Sequence, residues 1–244
     1  MNQLKALIWY ECIQALKMVL IFYSVFWGSF ALMSLMVVLR LGEGVNIFAV
    51  GTEMWAMILA TVTGAVLFIE DYRQLQQNGF TRRAIFSGEM FCFLFMAALV
   101  ASFETVIPRF VGKFLPQVHS VVARAFGSNV SWLGNWLLLL GTFFFIASMT
   151  YLITVIIVRL GKRRALIVGI VFWCGIMIVL PALMAAFDSV RRLVGQVFEM
   201  ICVCLGFGDA GVMHIWPPIF TAMAASVLVV VCGYLVMRRF EWRW

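Results

Sequence analysis

The chain has 244 residues, of which 64% are hydrophobic and only 12% are charged. A soluble domain carries roughly 25% charged residues, so this composition excludes a soluble fold and indicates an integral membrane protein. We expect the net charge of +7 to reflect membrane topology and contact with anionic lipid, and we expect no binding of nucleic acid.

Six apolar stretches predict an all-α integral membrane protein with six transmembrane helices, forming a single transmembrane domain over residues 1–244. The uncharged runs are residues 18–39, 54–69, 90–103, 125–158, 165–187 and 215–237. A spanning helix takes about 20 apolar residues. The second and third runs reach that length only if Glu53, Glu89 and Glu104 lie near the membrane interfaces.

The first element in chain order is a lead segment, residues 1–18, predicted to be an interfacial helix on the inner leaflet. Its apolar residues, such as Leu4, Ile8 and Cys12, share one helical face, while Gln14 and Lys17 fall on the other. The alternative is a simple cytoplasmic extension of the first span. The apolar run that follows lacks an A-x-A cleavage pattern, so we expect a retained helix and not a signal peptide.

Residues 70–89 form the longest inner loop and the strongest functional candidate. Asn78-Gly79 is a helix-stop signal, and Thr81 is placed to cap a new helix that begins at Arg82. Arginines and aromatic residues make strong contact points, which suits docking on a soluble partner. The alternative is a basic anchor that contacts only lipid, and composition does not choose between the two.

The outer and later segments complete the predicted layout. A short amphipathic helix is expected within residues 108–131, and the fourth and fifth spans form a hairpin through the basic loop 159–164. Pro181 is expected to kink the fifth span. Residues 188–216 are predicted to form a re-entrant or interfacial outer element, after which Pro217 opens the sixth span.

Positive charge orients the chain with both termini in the cytoplasm, because Lys and Arg concentrate in inner loops. Twelve of the 18 Lys and Arg fall on predicted inner segments. They are Lys5, Lys17, Arg73, Arg82, Arg83, Arg159, Lys162, Arg163, Arg164, Arg238, Arg239 and Arg243. The tight loop 159–164 carries four of them and no acid, so it is the firmest inner anchor.

Catalytic motifs are missing from the sequence. It contains no G-x-x-x-x-G-K-[ST] phosphate loop, no H-E-x-x-H and no G-x-S-x-G, so no catalytic, cofactor or metal residues are assigned and the chain is not expected to be an enzyme. Glu104 is expected to pair with Arg109 outside, and Glu89 with Arg82 or Arg83 inside. Structural pairing of these acids is favoured over a role in transport.

The sequence of residues 70–86 resembles the inner loop of bacterial ABC-2 type transporter permeases. In that family the second span is extended and is followed by a turn matched here by Gln77, Asn78, Gly79, Phe80, Thr81, Arg82 and Arg83. The overall layout is also similar: an N-terminal interfacial helix, six spans, an outer re-entrant element and a basic tail.

The resemblance implies a half-transporter in the bacterial plasma membrane that exports a peptide, drug or lipid-like molecule. Residues 70–89 would be a coupling segment in a groove of a separate ABC ATPase, which would hold the ATP and Mg. The implied coupling residues are Glu70, Asp71, Arg73, Asn78, Gly79, Phe80, Thr81, Arg82 and Arg83. A second permease, identical or a paralogue, would complete the transporter. The alternative function is a stand-alone carrier, channel or biogenesis factor without an ATPase.

Overall fold

A computed structural model describes residues 3–41, 52–111, 121–127, 130–207 and 214–238. Within these ranges the chain is almost entirely helical. The helices are α1 (Gln3–Leu41), α2 (Thr52–Gln77), α3 (Arg82–Val111), α4 (Val121–Phe126), α5 (Trp132–Leu160), α6 (Lys162–Cys174), α7 (Leu180–Ala186), α8 (Asp188–Cys204) and α9 (Trp216–Arg238).

Membrane-spanning character is present in five helical segments of the described chain. These segments are long and apolar enough to cross a bilayer: Lys5–Leu32, Arg82–Phe110, Trp132–Leu160, Arg163–Ala186 and Trp216–Arg238. A shorter apolar helix covers Thr52–Val66 in α2. Helices suit this environment because their backbone polar groups are satisfied within the segment. The chain is therefore an all-α membrane protein.

Helix α5 forms the centre of the packed bundle, between α2, α3 and α9. Small residues allow the close approach: Gly64 of α2 lies against the Ala147 backbone, and Gly141 faces Ala222 of α9. The Ser226 hydroxyl donates across this second contact to the Gly141 carbonyl at 3.4 Å. Small residues at such crossings are typical of helix association in membranes, where the hydrophobic effect contributes little driving force for association.

Contacts along the helices fix their relative directions. Helices α1 and α3 run parallel, since Cys92 meets Glu11 near one end and Glu104 meets Tyr23 farther along. Helix α5 runs against α3, since Trp136 donates to Ser102 near its start and Tyr151 donates to Glu89 near its end.

Helices α5 and α9 run in the same direction. Gly134, near the start of α5, lies against Ile215, which immediately precedes α9. Gly233, near the end of α9, lies against Phe86, whose ring is 6.1 Å from that of Tyr151 near the end of α5. The chain between α5 and α9 must therefore return along the length of the bundle.

The returning chain is apolar and scarcely packed on the bundle. Gly161 alone separates α5 from α6, with a positive φ of 81°. In the segment Arg163–Ala186, none of the most apolar window is buried. The chain turns at Gly161, within the predicted hairpin loop, but α6 packs little against the bundle. Such an exposed apolar helix requires lipid or another protein surface around it.

The predicted distortion at Pro181 appears as a π-helical turn over Gly175–Val179. Proline has no N–H to donate and its ring crowds the carbonyl four residues earlier, here that of Met177. Widening the helix by one residue per turn relieves that clash, and π-bulges of this kind interrupt α-helices locally.

The lead segment differs from the predicted interfacial helix over residues 1–18. Its described part continues into the first span as the single helix α1, Gln3–Leu41, as in the alternative of a simple extension. The reason is local: no glycine or proline occurs between Gln3 and Trp27, so nothing interrupts the hydrogen-bond ladder. Trp9 and Tyr10 are exposed, as suits side chains at headgroup level.

We predict that Gly64→Val disrupts the packing of α2 on α5. A Cβ at position 64 would meet the Ala147 carbonyl oxygen at 2.3 Å, so the helices must separate. Overpacking of this kind costs roughly 1–3 kcal/mol, and the melting temperature of the purified protein should fall. The matched control is Gly28→Val in α1, where a Cβ meets nothing within 4 Å. Equal effects of the two substitutions would contradict the assigned packing.

Candidate functional site

The predicted helix stop at Asn78 and Gly79 is confirmed. Helix α2 ends at Gln77, and Gly79 adopts a φ of 81°, which favours glycine. The Phe80 N–H donates to the Leu75 carbonyl at 3.1 Å, and the Gly79 N–H donates to the Gln76 carbonyl at 3.0 Å. This pair of bonds is a Schellman motif, which closes the C-terminus of α2 and sets the direction in which the chain leaves it.

The predicted capping of the next helix by Thr81 is also confirmed. Its hydroxyl accepts from the Ala84 N–H at 3.3 Å, and its carbonyl accepts from the Ile85 N–H at 3.0 Å. Helix α3 therefore begins at Arg82, directly after the turn. We call residues 78–83 the inner turn, after the side of the membrane that the sequence predicts for them.

The inner turn has an exposed polar surface on an apolar base. Asn78, Gly79, Thr81, Arg82 and Arg83 are all exposed. Phe80 is partly buried against the core, and Phe86, one turn into α3, is buried near Tyr151 and Tyr234. The turn therefore presents two arginines to solvent while its aromatic neighbours hold it to the bundle.

Tyr72 of α2 lies at the base of the inner turn and is fully buried. Its hydroxyl accepts from the Gln76 side chain at 2.9 Å. Burial raises the pKa of the Tyr72 hydroxyl, and the nearby positive charge of Arg82 opposes that rise. The Arg82 charge is thus close to the core of the helix pair, even though the side chain is exposed.

The remaining predicted coupling residues lie in α2 before the turn. Glu70, Asp71 and Arg73 belong to the helix Thr52–Gln77, and their side chains fall outside the described part of the structure. The segment 70–89 is therefore the end of one long helix, a tight turn and the start of another. It contains no separate short helix.

The surroundings of the buried carboxylates differ most from what the sequence predicts. Glu104 is only 2% exposed and accepts hydrogen bonds from the Tyr23 and Thr52 hydroxyls, both at 2.5 Å. Glu89 is 1% exposed and accepts from the Tyr151 hydroxyl. Burying a carboxylate is costly unless it is hydrogen-bonded, and hydroxyl donors from neighbouring helices supply those bonds.

The predicted ion pair between Glu104 and Arg109 is wrong. The Arg109 guanidinium donates to the Val130 carbonyl at 3.3 Å and lies 4.6 Å from the centre of the Trp132 ring. It turns toward the start of α5 because that carbonyl and aromatic face are within reach.

The expected pairing of Glu89 with Arg82 or Arg83 is not what the described contacts give. Glu89 points into the bundle toward Tyr151, while Arg82 and Arg83 are exposed to solvent. Sequence proximity favoured the arginines. The hydroxyl partner lies 62 residues away, and only a tyrosine within an apolar run hinted at it.

Among the described residues, two of the apolar cavities between helices are large enough to hold a small molecule. The larger, of about 880 Å³, lies between α1 and α2, and we call it the α1–α2 groove. Its lining includes Met18, Phe22, Phe26, Trp55, Leu59 and Val62.

The second cavity, of about 580 Å³, is bounded by α2, α4, α5, α8 and α9, and we call it the α8 cavity. Helix α2 contributes to both cavities, with Trp55, Leu59 and Val62 in the first and Glu53, Met54 and Met57 in the second.

The outer segments predicted from sequence contribute walls to the α8 cavity. A short helix, α4, occurs within residues 108–131, and its Val122, Ala125 and Phe126 line the cavity. Within residues 188–216, helix α8 is followed by a turn at Leu205 and Gly206, and α9 begins at Trp216 with two prolines in its first turn. This start agrees with the prediction at Pro217, because the first helical turn tolerates proline.

Comparison with known proteins finds no match: no protein-family model, no curated protein and no solved structure is similar to the chain.

Proposed function

We propose that this protein is the permease subunit of an ATP-driven exporter, docked through the inner turn onto a separate ABC ATPase. The observation that carries the proposal is the inner turn itself. It combines exposed Arg82 and Arg83 with a rigid attachment, through the Schellman motif and the Thr81 cap, to two long helices. A docking point of this kind transmits force because it cannot move without moving its helices.

The route from docking point to cavities runs through α2. This helix ends at the inner turn and lines both the α1–α2 groove and the α8 cavity along its earlier half. A displacement at residues 78–83 would shift α2 against α5, where Gly64 and Ala147 are in close contact. Closure of a nucleotide-bound ATPase would thus change the cavities, and ATP binding would favour one state by its differential affinity for that state.

The membrane arrangement that we propose has six crossings with both termini in the cytoplasm. The parallel directions of α5 and α9 support it, since the chain must cross back between them and Arg163–Ala186 is the apolar segment available. Arg82, Arg83, Arg159, Arg163 and Arg164 then share the cytoplasmic side, in agreement with the distribution of positive charge in membrane proteins.

Labelling with a membrane-impermeant maleimide tests the proposed crossing by α6 and α7. In a chain whose six native cysteines are replaced by serine, Ser189→Cys should react in intact cells, because position 189 follows the crossing on the outer side. Arg163→Cys should react only after the membrane is permeabilised. Labelling of both positions from the same side would rule out the crossing.

The partners follow from the exporter proposal. ATP and Mg would bind in the ATPase, and this chain would hold no cofactor. A second permease subunit, a copy of this chain or a paralogue, would complete the transporter, and lipid of the bacterial plasma membrane would surround it. The exposed apolar surface of α6 and α7 suits contact with lipid or with such a second subunit.

Charge reversal tests the docking surface directly. We expect the double variant Arg82→Glu/Arg83→Glu to reduce co-purification of the ATPase at least tenfold, because removal of an arginine at an interface hot spot costs about 2 kcal/mol or more. Membrane insertion and melting temperature should stay unchanged, since both side chains are exposed. The readout is the ratio of ATPase to permease after mild-detergent purification.

The matched control is Arg163→Glu/Arg164→Glu, which reverses two exposed arginines on the same proposed side but outside the inner turn. It should leave co-purification near the level of the unmodified protein. Two results would contradict the assignment of the inner turn as the docking point: unchanged ATPase association in the Arg82 and Arg83 variant, or an equal loss of ATPase association in both variants.

A second candidate function is a carrier driven by an ion gradient, without an ATPase. The buried carboxylates Glu11, Glu53, Glu89 and Glu104 favour it, since ionisable groups inside membrane helices often mark ion or proton pathways. Transport by the purified chain in ATP-free vesicles, driven by a pH gradient alone, would favour the carrier over the exporter.

A further inference from the structure

Helices α1 and α2 both pack on α3 and scarcely on each other. The Tyr23 hydroxyl of α1 and the Thr52 hydroxyl of α2 donate to the same carboxylate of α3, that of Glu104, at 2.5 Å each. The Phe26 and Trp55 rings lie 6.1 Å apart across the gap between the two helices. The α1–α2 groove is the space that this arrangement leaves between two helices held by a third.

The α1–α2 groove opens toward the surroundings of the chain. Ile21 and Val25 in its lining are 65% and 66% exposed, and they belong to the apolar segment Lys5–Leu32. Exposed surface of this kind on a spanning helix faces the bilayer. The groove has a volume of about 880 Å³, and leaving a space of that size empty would deprive its lining of van der Waals contacts. An apolar chain that enters from the bilayer restores those contacts.

The groove is polar at one end and apolar along the rest of its length. Gln14 and Lys17 line the end nearer the N-terminus of α1, and the remaining lining is apolar apart from Ser29. The Ser29 hydroxyl donates to the Phe26 carbonyl at 2.8 Å, so it is satisfied within α1. From Gln14 to Phe30 the groove extends about 24 Å along the helix axis. An acyl chain spans about half of the roughly 30 Å hydrocarbon thickness, so it fits within this length.

Lys17 is an exposed charge near the middle of an apolar span. It lies about 18 Å beyond Lys5 along α1, at 1.5 Å per residue. It also lies between Glu11 and Tyr23, which both contact α3. A charged side chain within the membrane is costly and calls for a partner. Long side chains point back toward the helix N-terminus, so the Lys17 ammonium lies toward the polar end of the groove.

The charge of the groove is defined by side chains that the structure describes. Every side chain of α1 over residues 5–32 and of α2 over residues 52–66 is described, and the groove lining falls well inside these ranges. The charged residues of the two ranges are Lys5, Glu11, Lys17 and Glu53. Of these four, only Lys17 lines the groove, and no described side chain forms an ion pair with it. The groove therefore favours a negatively charged group at its polar end.

We propose that the α1–α2 groove binds one anionic phospholipid of the bilayer, with an acyl chain between α1 and α2 and the phosphate at Lys17. The apolar length accommodates the chain, the open side admits it from the bilayer, and the lysine selects the headgroup. A zwitterionic lipid also carries a phosphate, but the lysine repels its ammonium. Lipid binding requires no ATPase, so the proposal is independent of the exporter function.

Two lipids with identical acyl chains test the headgroup preference. Native mass spectrometry of the purified, delipidated chain counts the lipids that bind as dioleoyl phosphatidylglycerol or dioleoyl phosphatidylcholine is added. We expect one phosphatidylglycerol per chain, bound at least tenfold more tightly than phosphatidylcholine, because only the first has a net negative charge. Equal affinities, or uptake of phosphatidylglycerol that does not saturate at one per chain, would overturn the proposal.

A change at Lys17 isolates the contribution of its charge. Lys17→Met keeps an unbranched side chain and, because Lys17 is exposed, should leave the fold intact. The affinity for phosphatidylglycerol should fall about tenfold, to the level of phosphatidylcholine. Lys5→Met is the matched control, since it removes an exposed lysine of the same helix outside the groove, and it should bind like the unmodified chain. An unchanged affinity in Lys17→Met, or an equal loss in both variants, would contradict the assigned headgroup contact.

A bulky side chain tests whether the lipid lies in the groove. Val62 lines the groove and is 48% exposed, so Val62→Trp should occupy the space and weaken binding of both lipids at least tenfold. Ile58→Trp is the control, because Ile58 is 51% exposed on the same helix outside the lining. Unchanged phosphatidylglycerol binding in a folded Val62→Trp protein would exclude the groove. If that variant fails to fold, the comparison of Lys17→Met with Lys5→Met decides.

The same spectra distinguish a lipid from a second copy of the chain as the occupant of the groove. Dimers that take up no lipid and separate into single chains in Val62→Trp would assign the groove to a subunit interface and overturn the proposal. Association with the ATPase is scored separately on the inner turn, so failure of the lipid site leaves the exporter proposal intact.

Discussion

Close packing of α5 against its neighbours is the constraint on which the rest of this structure depends. Inside a bilayer, apolar surface gains little by moving from lipid to protein, so helices associate where small residues bring their backbones together. Gly64 against Ala147 and Gly141 against Ala222 provide two such contacts on different faces of α5. They hold α2 and α9 against α5, which runs in the same direction as α9, and α3 packs against α5 in the opposite direction. The return of the chain through α6 and α7 follows from those directions.

Local features of the fold were predictable from sequence, whereas contacts between distant segments were not. The end of α2 at Asn78-Gly79, the Thr81 cap and the start of α9 beside Pro217 follow from backbone chemistry of a few residues, and the structure contains all three. The predicted pair of Glu104 with Arg109 is wrong because sequence proximity was used as a guide to spatial proximity. The partners of Glu104 and Glu89 are hydroxyls 52 to 81 residues away, on helices whose rotation a single sequence does not reveal. The continuity of α1, by contrast, has a local cause in the lack of glycine and proline between Gln3 and Trp27, which the prediction did not weigh.

Helix α2 connects the inner turn to the α8 cavity. One end carries the inner turn, with its exposed arginines, and the other carries Thr52 and Glu53 beside the buried Glu104. A rigid helix of 26 residues is about 39 Å long, enough to link the two sides of a membrane. In our proposal, docking of the ATPase displaces α2, which forms one wall of the α8 cavity. Helix α8 forms another wall and has no buried residue, so it is held less firmly.

The most direct test of the central claim is purification of the tagged chain from its native membrane in mild detergent, followed by mass spectrometry of the bound proteins. Our account predicts a soluble ABC ATPase in stoichiometric amount, together with ATP hydrolysis by the preparation. It also predicts one permease partner, either a second copy of this chain or a paralogue. Repeated recovery of the well-folded protein with no ATPase bound would contradict the account and would leave residues 78–83 as a basic anchor at the membrane surface.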